Sequence, residues 1–426
     1  MNKLAFALVG GICSGKTTLA EEMTNYDSFL IISKDGCIYE SDMLCRDGIS
    51  KSWEELREEK IDALVDENVI LDETIRVGKL DKLKSKGYTI VAIIMESDKA
   101  IRSRRLLKRN ELNRQYFERL KVITGIDLLK YTQTERRDMW RDPKFRKALP
   151  LDKQSEFDRI LERLYLLGSK VLKDEEPNPV CFSQIDYIVK AEDLRLTRDM
   201  NIEDILSQCI SYEEYKREWA KNVKYCIWDV GGVFYHYSTD ILHNWGIQHS
   251  KDKITSKRQF SFNDYMRGVV SFEDVCRNFC MTYNVEFRDK YIQEITDCLY
   301  AGIGELYSET EQMIEYVKSK NVVNCILSNA LPILADDGNY PHLIDSVNRF
   351  YSFVFHKLKP ENDIYKMMQE KLGVPFDRMI FIDDKKRNVD AAIDLGIYSI
   401  EFNRETIKQE LESIFEKIPS ACYLRV

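Results

Sequence analysis

Two segments of one design set the limits on how this chain can fold. LAFALVGGICSGKT (Leu4–Thr17) and KYCIWDVGGVF (Lys224–Phe234) each carry an apolar run straight into paired glycines. A short apolar run bounded by a glycine turn reads as a buried strand, and charged stretches with helical period follow both. Strands buried on both faces belong to parallel sheets covered by helices. The pattern predicts an α/β protein of two parallel-sheet, three-layer domains, residues 1–215 and 222–426, joined between about 212 and 222. At 426 residues the chain also exceeds what one hydrophobic core sustains.

In the first half, further strands are expected at Phe29–Ser33, Val69–Asp72, Tyr88–Met95 and Ile185–Lys190. A helix is expected from Lys16 to Met23. One long charged helical stretch runs from Ile101 to about Leu172, broken by Glu175–Pro179. A polar helix over Ile202–Ala220 closes the unit. There is no internal repeat and no low-complexity segment.

The first glycine turn, GGICSGKT, has the spacing G-x-x-x-x-G-K-[ST] between a strand and a helix. Gly10, Gly11 and Gly15 free the backbone so that its N–H groups, with those of Ser14, Thr17 and Thr18, turn toward phosphate oxygens at the positive end of a helix. Lys16 is placed for the β- and γ-phosphates of ATP, and Thr17 for Mg²⁺. Asp35 follows the second strand, at the sheet edge where open α/β folds bind ligands, and suits a base for an acceptor hydroxyl. A turn or helix-capping aspartate is the plain alternative. Asp72 ends the third strand as an acid for Mg²⁺ or substrate. Arg102, Arg105 and Arg109 share one helical face, suited to a phosphate-neutralising lid or to a merely solvated surface. This order of elements resembles the P-loop kinases of the polynucleotide-kinase and small-metabolite-kinase group. The resemblance implies ATP–Mg²⁺ on Lys16 and Thr17, Asp35 as base, and Arg105 or Arg109 in the lid. Polynucleotide 5′-kinases usually carry Arg three residues after the base. Here Ile38 stands there, and the helical stretch at about 125–175 has no counterpart in the pattern.

The second half carries four signals in order. Asp229 ends an apolar strand before Gly231 and Gly232, exposed as a carboxylate nucleophile must be. Ser328 and Asn329 end another strand, a hydroxyl and an amide suited to phosphate oxygens. Lys359, before Pro360, is a cation to balance nucleophile and phosphate. Asp383 and Asp384 end a further strand as hard oxygen ligands for Mg²⁺. The pieces D-x-G-G-V, L-S-N, K-P-E-x-x-I-Y and F-I-D-D-x-x-x-N-V-x-A-A resemble the haloacid dehalogenase superfamily from about residue 222 onward. The branch resembled contains sugar-phosphate phosphatases and the N-terminal phosphatase of soluble epoxide hydrolases. That resemblance implies a Rossmann-like fold, Asp229 as nucleophile, and Mg²⁺ on Asp229, Asp383, Asp384 and the Gly231 carbonyl. It also implies a small helical cap over about 235–310, from which His236, Tyr265 or Arg267 would reach the site. Most phosphatases of the superfamily hold a general acid–base Asp where this chain has Gly231, an expected loss of roughly 10²–10⁴ in rate.

Composition narrows the function classes. The net charge of −8 and pI near 5.5 argue against a protein that coats nucleic acid. No apolar run approaches the roughly 18 residues of a membrane span. The 11 cysteines form no CxxC pair, so a cytoplasmic location is expected, and all five histidines lie in the second half. Three readings result. The first is a bifunctional kinase and phosphatase acting on a small metabolite such as a sugar or nucleoside, with no membrane partner. The second is an enzyme that heals nucleic-acid ends by 5′-phosphorylation and 3′-dephosphorylation. The third has one half as a non-catalytic module that senses a phosphorylated ligand.

Overall fold

Alternation along the first strand decides the layering of the N-terminal unit. In β1 (Lys3–Val9), Ala5, Ala7 and Val9 join one buried cluster, while Leu4, Phe6 and Leu8 join another on the opposite face. The first cluster takes in Cys37, Ile61 and Leu83 from the helices Lys34–Arg46, Trp53–Ala63 and Asp81–Ser85. The second takes in Ala20 and Met23 from the helix Lys16–Met23, and Ile205 from Ile202–Leu206. Helices on both faces of one sheet make three layers. The computed structural model describes residues 3–416, apart from 11–13, 15, 25–28, 66, 73–79, 96–98, 168–177, 182–183, 196, 198–201 and 336–342.

The chain divides into two compact units, Met1–Tyr215 and Lys216–Val426. In the first, β2 (Phe29–Ser33), β3 (Asn68–Asp72), β4 (Tyr88–Ile94), β5 (Tyr187–Lys190) and β6 (Ile210–Ser211) complete a sheet of order β2-β3-β1-β4-β5-β6. Only β6 runs antiparallel. It interrupts the single helix expected over Ile202–Ala220, because Ile210 pairs with Ile188 and the Tyr212 N–H bonds the Asp186 carbonyl. The helix resumes at Tyr212–Ala220.

The long helical stretch is likewise broken, into Lys99–Thr124, Gln133–Arg141, Pro143–Lys147 and Leu151–Leu167. The first two breaks have a local cause. Gly125 takes φ +73°, Thr132 and Glu135 form a capping box, and Pro143 begins a new helix behind the N-cap Asp142. These helices bury their own cluster around Leu120, Trp140, Phe157 and Leu161, against Ile38, Tyr39 and Met43. The ends of that stretch and of its expected breaker, residues 168–172 and Glu175–Pro177, lie outside the described residues.

In the second unit β7 (Tyr225–Trp228), β10 (Val323–Ser328), β11 (Arg349–Tyr351), β12 (Met379–Asp383) and β13 (Tyr398–Glu401) form an all-parallel sheet of order β11-β10-β7-β12-β13. Between β7 and β10 lie β8 (Tyr235–Tyr237) and β9 (Ile303–Leu306), paired antiparallel, and helices Asp240–His249, Asn263–Met266, Phe272–Thr282 and Lys290–Ala301. This insert has its own core of Phe279, Tyr283, Ile295 and Leu299. Among the described residues no helix is long and apolar enough to cross a membrane.

Candidate active site

The sheet order of the second unit fixes where a site can form. From β7 the chain reaches β10 and β11 on one side, and later β12 and β13 on the other. The crevice at the carboxyl ends of β7 and β12 is therefore a topological switch point, where open α/β sheets bind ligands. Asp229 leaves β7 there, and its N–H donates to the Ile382 carbonyl at 2.8 Å. Asp383 and Asp384 leave β12, and Ser328 ends β10 beside them. Carboxylate oxygens of Asp229, Asp383 and Asp384 lie within 4.8 Å of one another.

Lys359 holds this cluster together. Its Nζ donates to the Leu327 carbonyl and to Asp383 Oδ2, both at 2.7 Å, and lies 2.8 Å from Asp229 Oδ1. An ammonium has three protons, and each has one buried partner here. The backbone that carries it is fastened from β10. Asn329 Nδ2 donates to the Lys359 carbonyl at 3.0 Å, and its Oδ1 accepts the Lys359 N–H at 2.9 Å. The amide expected to grip phosphate is thus engaged in placing the lysine. Ser328 is buried at the strand end.

Two groups that sequence reasoning passed over complete the site. Asn388, in the first turn of the helix Lys386–Asp394 after β12, donates from Nδ2 to both oxygens of Asp383 at 2.9 and 3.0 Å. The Lys385 N–H donates to Asp383 Oδ1 at 2.9 Å. Asn388 was visible in the F-I-D-D-x-x-x-N spacing, since a residue five past a strand-end acid on the following helix can turn back to it. The fastening of Lys359 by Asn329 has no such local signal.

The electrostatics are unbalanced. Burial pushes the Asp229 carboxyl up, but the Lys359 and Lys385 ammonium groups outweigh it and hold it below the usual range. Asp383 is pushed up to about 6, by burial first and by the Asp229 charge second, against Lys359. Burial raises Asp384 as well, with Lys385 opposing and Asp229 adding. Asp384 Oδ1 is buried without a hydrogen-bond partner among the described residues; Lys385 Nζ stands off at 3.5 Å. Three crowded carboxylates, one with an orphaned oxygen, are a donor set that fits a hard divalent cation.

The two glycines after Asp229 differ. Gly232 has φ +90°, and a Cβ there would sit 2.4 Å from Asp384 Oδ2, so only glycine lets the loop pass. A Cβ on Gly231 would meet nothing nearer than Tyr237 Cβ at 3.9 Å. Of the insert residues expected to reach in, Tyr265 is part of the insert core and His236 is exposed on β8. Arg267 pairs with Glu361 at 2.5 Å, while its carbonyl lies 2.7 Å from His356 Nδ1. It braces the insert against the Lys359 loop instead of entering the carboxylate cluster.

In the N-terminal unit Gly10 follows β1, Asp35 lies just past β2 and Asp72 ends β3. Lys16 Nζ donates to the Gly10 carbonyl at 2.7 Å, and Arg105 Nη1 to the Ser14 carbonyl at 2.9 Å. Gly10 is closely approached: a Cβ would lie 2.7 Å from Ser14 Oγ and 2.8 Å from Met95 Cβ. Thr17 and Thr18 are exposed in the first turn of the helix Lys16–Met23. Ser33, not Asp35, caps the helix Lys34–Arg46, so Asp35 is not required as its cap. Ser33, the last residue of β2, is in register with Asp72, the last of β3. Arg102 is buried and Arg109 half-buried on the helix Lys99–Thr124. Gly11 and Gly15 lie outside the described residues.

Residues 223–396 match the family model described as haloacid dehalogenase-like hydrolase. The chain is similar to human magnesium-dependent phosphatase 1, at 30% identity over 114 residues, 25% of this chain and 62% of that protein. It is also similar to flavin mononucleotide hydrolase 1 of Arabidopsis thaliana, at 24% identity over 182 residues, 38% of this chain and 66% of that protein. The chain therefore spans somewhat less than two thirds of the length of the curated relatives it matches. Among solved structures, a predicted hydrolase of the same family from Porphyromonas gingivalis aligns at TM-score 0.37 and 20% identity, over 46% of this chain and 99% of the other. A family enzyme from Bacteroides thetaiotaomicron, solved as a magnesium complex, aligns at TM-score 0.37 and 18% identity, over 45% of this chain and 98% of the other. The family match begins at β7 and ends after β12, so it contains Asp229, Ser328, Lys359, Asp383 and Asp384: this chain carries a haloacid dehalogenase-like hydrolase domain.

Proposed function

We propose that the C-terminal unit hydrolyses a phosphomonoester through an aspartyl phosphate, with Mg²⁺ at the carboxylate cluster. The observation that carries this reading is Lys359, whose ammonium is shared between Asp229 and Asp383 and leaves Asp229 ionised in a buried site. The Asp229 carboxylate attacks phosphorus, and the ester P–O bond breaks with its electron pair going to the leaving oxygen. Water then attacks the phosphorus of the acyl phosphate, releases inorganic phosphate and restores the carboxylate. Gly231 offers no acid, so the leaving oxygen takes its proton from solvent. A bound Mg²⁺ supplies positive charge for the phosphoryl oxygens, and Asp229, Asp383 and Asp384 are the side chains that would hold it. The insert between β7 and β10 supports a small soluble ester as substrate.

The N-terminal unit is proposed to transfer the γ-phosphate of ATP to a hydroxyl, with Lys16, Thr17, Asp35 and Asp72 in the roles given above and Arg105 or Arg109 over the phosphates. The support is the meeting of Lys16, Arg105 and the closely packed Gly10 turn at the end of β1. A small acceptor is favoured over a nucleic-acid end. Several arginines that would form a basic groove are engaged by carboxylates: Arg119 by Glu156, Arg137 and Arg141 by Asp42, and Arg146 by Asp158. The nine described cysteines are in no disulfide, which supports a reducing cytoplasm.

The test is p-nitrophenyl phosphate hydrolysis beside γ-labelled ATP transfer to a panel of hydroxyl compounds. Asp229→Asn is expected to abolish the first and spare the second, and Lys16→Ala the reverse. Phosphatase activity surviving in Asp229→Asn would place the nucleophile elsewhere. Phosphate bound without turnover in the wild type would make the unit a sensor.

A further inference from the structure

The helices of the broken stretch enclose a cavity of about 180 Å³ against the start of the helix Lys34–Arg46, with Asp35 in its wall. A cavity of roughly 150 Å³ takes a benzene ring, so this one accommodates a single ring with a substituent. Its flanks are flat and apolar: Ile38, Phe117, Trp140 and Tyr165. The charge around it is not balanced. Arg137, in the wall, is held by the buried carboxylate of Asp42, and so is Arg141 behind it. Arg136 is also in the wall and has no carboxylate partner among the described residues. Its guanidinium lies 4.9 Å from the Phe117 ring centroid, and its one described hydrogen bond, to the Leu128 carbonyl, is long at 3.4 Å. Of the two arginines in the wall, Arg137 thus has a carboxylate partner in Asp42 and Arg136 has none among the described residues.

The geometry points to an acceptor subsite for a small molecule that joins a flat ring to an anionic group, carboxylate or phosphate. The ring lies among Phe117, Trp140 and Tyr165, the anion meets Arg136, and a hydroxyl faces Asp35. This assignment rests on the phosphotransferase reading of the N-terminal unit and names its substrate class. It gives Ile38 a purpose: the position lends an apolar wall where a charged side chain would compete for the anion. Burial lowers the Arg136 guanidinium, in keeping with a cation that lacks a carboxylate partner.

The experiment uses the full chain and three probes, with binding followed by ligand-observed NMR and calorimetry without nucleotide. 4-(Hydroxymethyl)benzoate has ring, anion and hydroxyl; benzyl alcohol lacks the anion; glycolate lacks the ring. The benzoate is expected to bind at least about tenfold more tightly than either of the others. Arg136→Gln is expected to remove that advantage while leaving benzyl alcohol binding unchanged. Equal binding of benzoate and benzyl alcohol, or an unchanged preference in Arg136→Gln, overturns the assignment. So does displacement of the benzoate by a 5′-hydroxyl oligonucleotide at lower concentration than by free benzoate, since the site would then serve polymer ends. Phosphoryl transfer to the benzoate, lost in Lys16→Ala, is a separate readout of the phosphotransferase reading. Its absence beside intact, Arg136-dependent binding counts against that reading and not against the pocket chemistry.

Discussion

Asp42 and Asp383 are both 0% exposed, and their surroundings drive them in opposite directions. Asp42, in the N-terminal unit, accepts from Arg137 at 2.8 and 2.9 Å, from Arg141 at 2.7 Å and from the Tyr165 hydroxyl. Burial pushes its carboxyl up, but Arg137, Tyr165 and Arg141 together bring it below the usual range. Asp383 has one ammonium, shared with a second carboxylate, and sits at about 6. A buried charge with more than its due of partners serves the fold. One that is under-compensated beside like charges costs stability until something cationic arrives, and such sites are where function concentrates.

The largest effect that separates the two is expected from Lys359→Met, which keeps most of the side-chain volume and removes the charge. It leaves Asp229 and Asp383 facing each other unpaired, a loss of about 3–5 kcal/mol in the C-terminal unit and of about 10³-fold or more in phosphatase rate. Asp42→Asn is expected to cost the N-terminal unit a comparable energy, softened because Arg137 and Arg141 are about one third exposed and can rehydrate. Phosphatase activity should then be unchanged. Urea unfolding with initial rates checks both. A Lys359→Met protein that keeps its rate, or an Asp42→Asn protein that loses phosphatase activity, removes the distinction.

Proton and metal titrations sharpen it. The folded value of Asp42 lies below its unfolded one, so its stabilisation is complete above the unfolded carboxylate range and is lost as pH falls through the folded value. For Asp383 the sign reverses. Its folded value of about 6 lies above the unfolded one, so the folded state takes up the proton first as pH falls. In EDTA the C-terminal unit should therefore gain about 2 kcal/mol between pH 7.5 and pH 4.5, relative to Asp383→Asn. Millimolar Mg²⁺ should supply much of that gain at pH 7.5, because the cation takes the place of the proton. Unfolding midpoints for wild type and Asp383→Asn under the four conditions test the claim. Parallel curves would mean that Asp383 carries no excess charge.

How much of this could be read from the sequence follows the same division. Asp229, Ser328, Lys359, Asp383 and Asp384 were legible because each ends a strand or sits in a loop with a recognisable neighbour pattern, and parallel sheets bring strand ends together. The Asp42 cluster was not legible. Its bonds span 95 to 123 residues, and nothing local marks Arg137, Arg141 or Tyr165 as partners of one aspartate. The β6 strand was missed for a related reason, since two residues carry no period and only pairing with β5 defines them. Breaks in the helical stretch at Gly125, Thr132 and Pro143 were present as cap and breaker signals but were overridden by the run of charge.

The smallest expected effect concerns the glycine pair, and it asks whether the C-terminal site lacks an acid by necessity or by choice of residue. The resemblance to haloacid dehalogenases puts an acid–base aspartate at position 231, two residues past the nucleophile. Gly231 is not among the glycines with positive φ, and its Cβ would have ordinary contact with Tyr237 alone. Gly231→Asp is therefore expected to fold as the wild type does and to raise kcat on poor leaving groups about tenfold, since a positioned acid contributes most where the leaving oxygen is basic. With p-nitrophenyl phosphate, whose leaving group needs little protonation, the gain should be small. Gly231→Asn has the same shape without the acid and should show neither gain. Gly232→Ala is the opposite case, because its Cβ would collide with Asp384 and its φ is costly for any side chain, so it should lose both Mg²⁺ affinity and rate. Equal rates for Gly231→Asp and Gly231→Asn on an alkyl phosphate would show that leaving-group protonation is already met by another route. The site would then be complete as it stands.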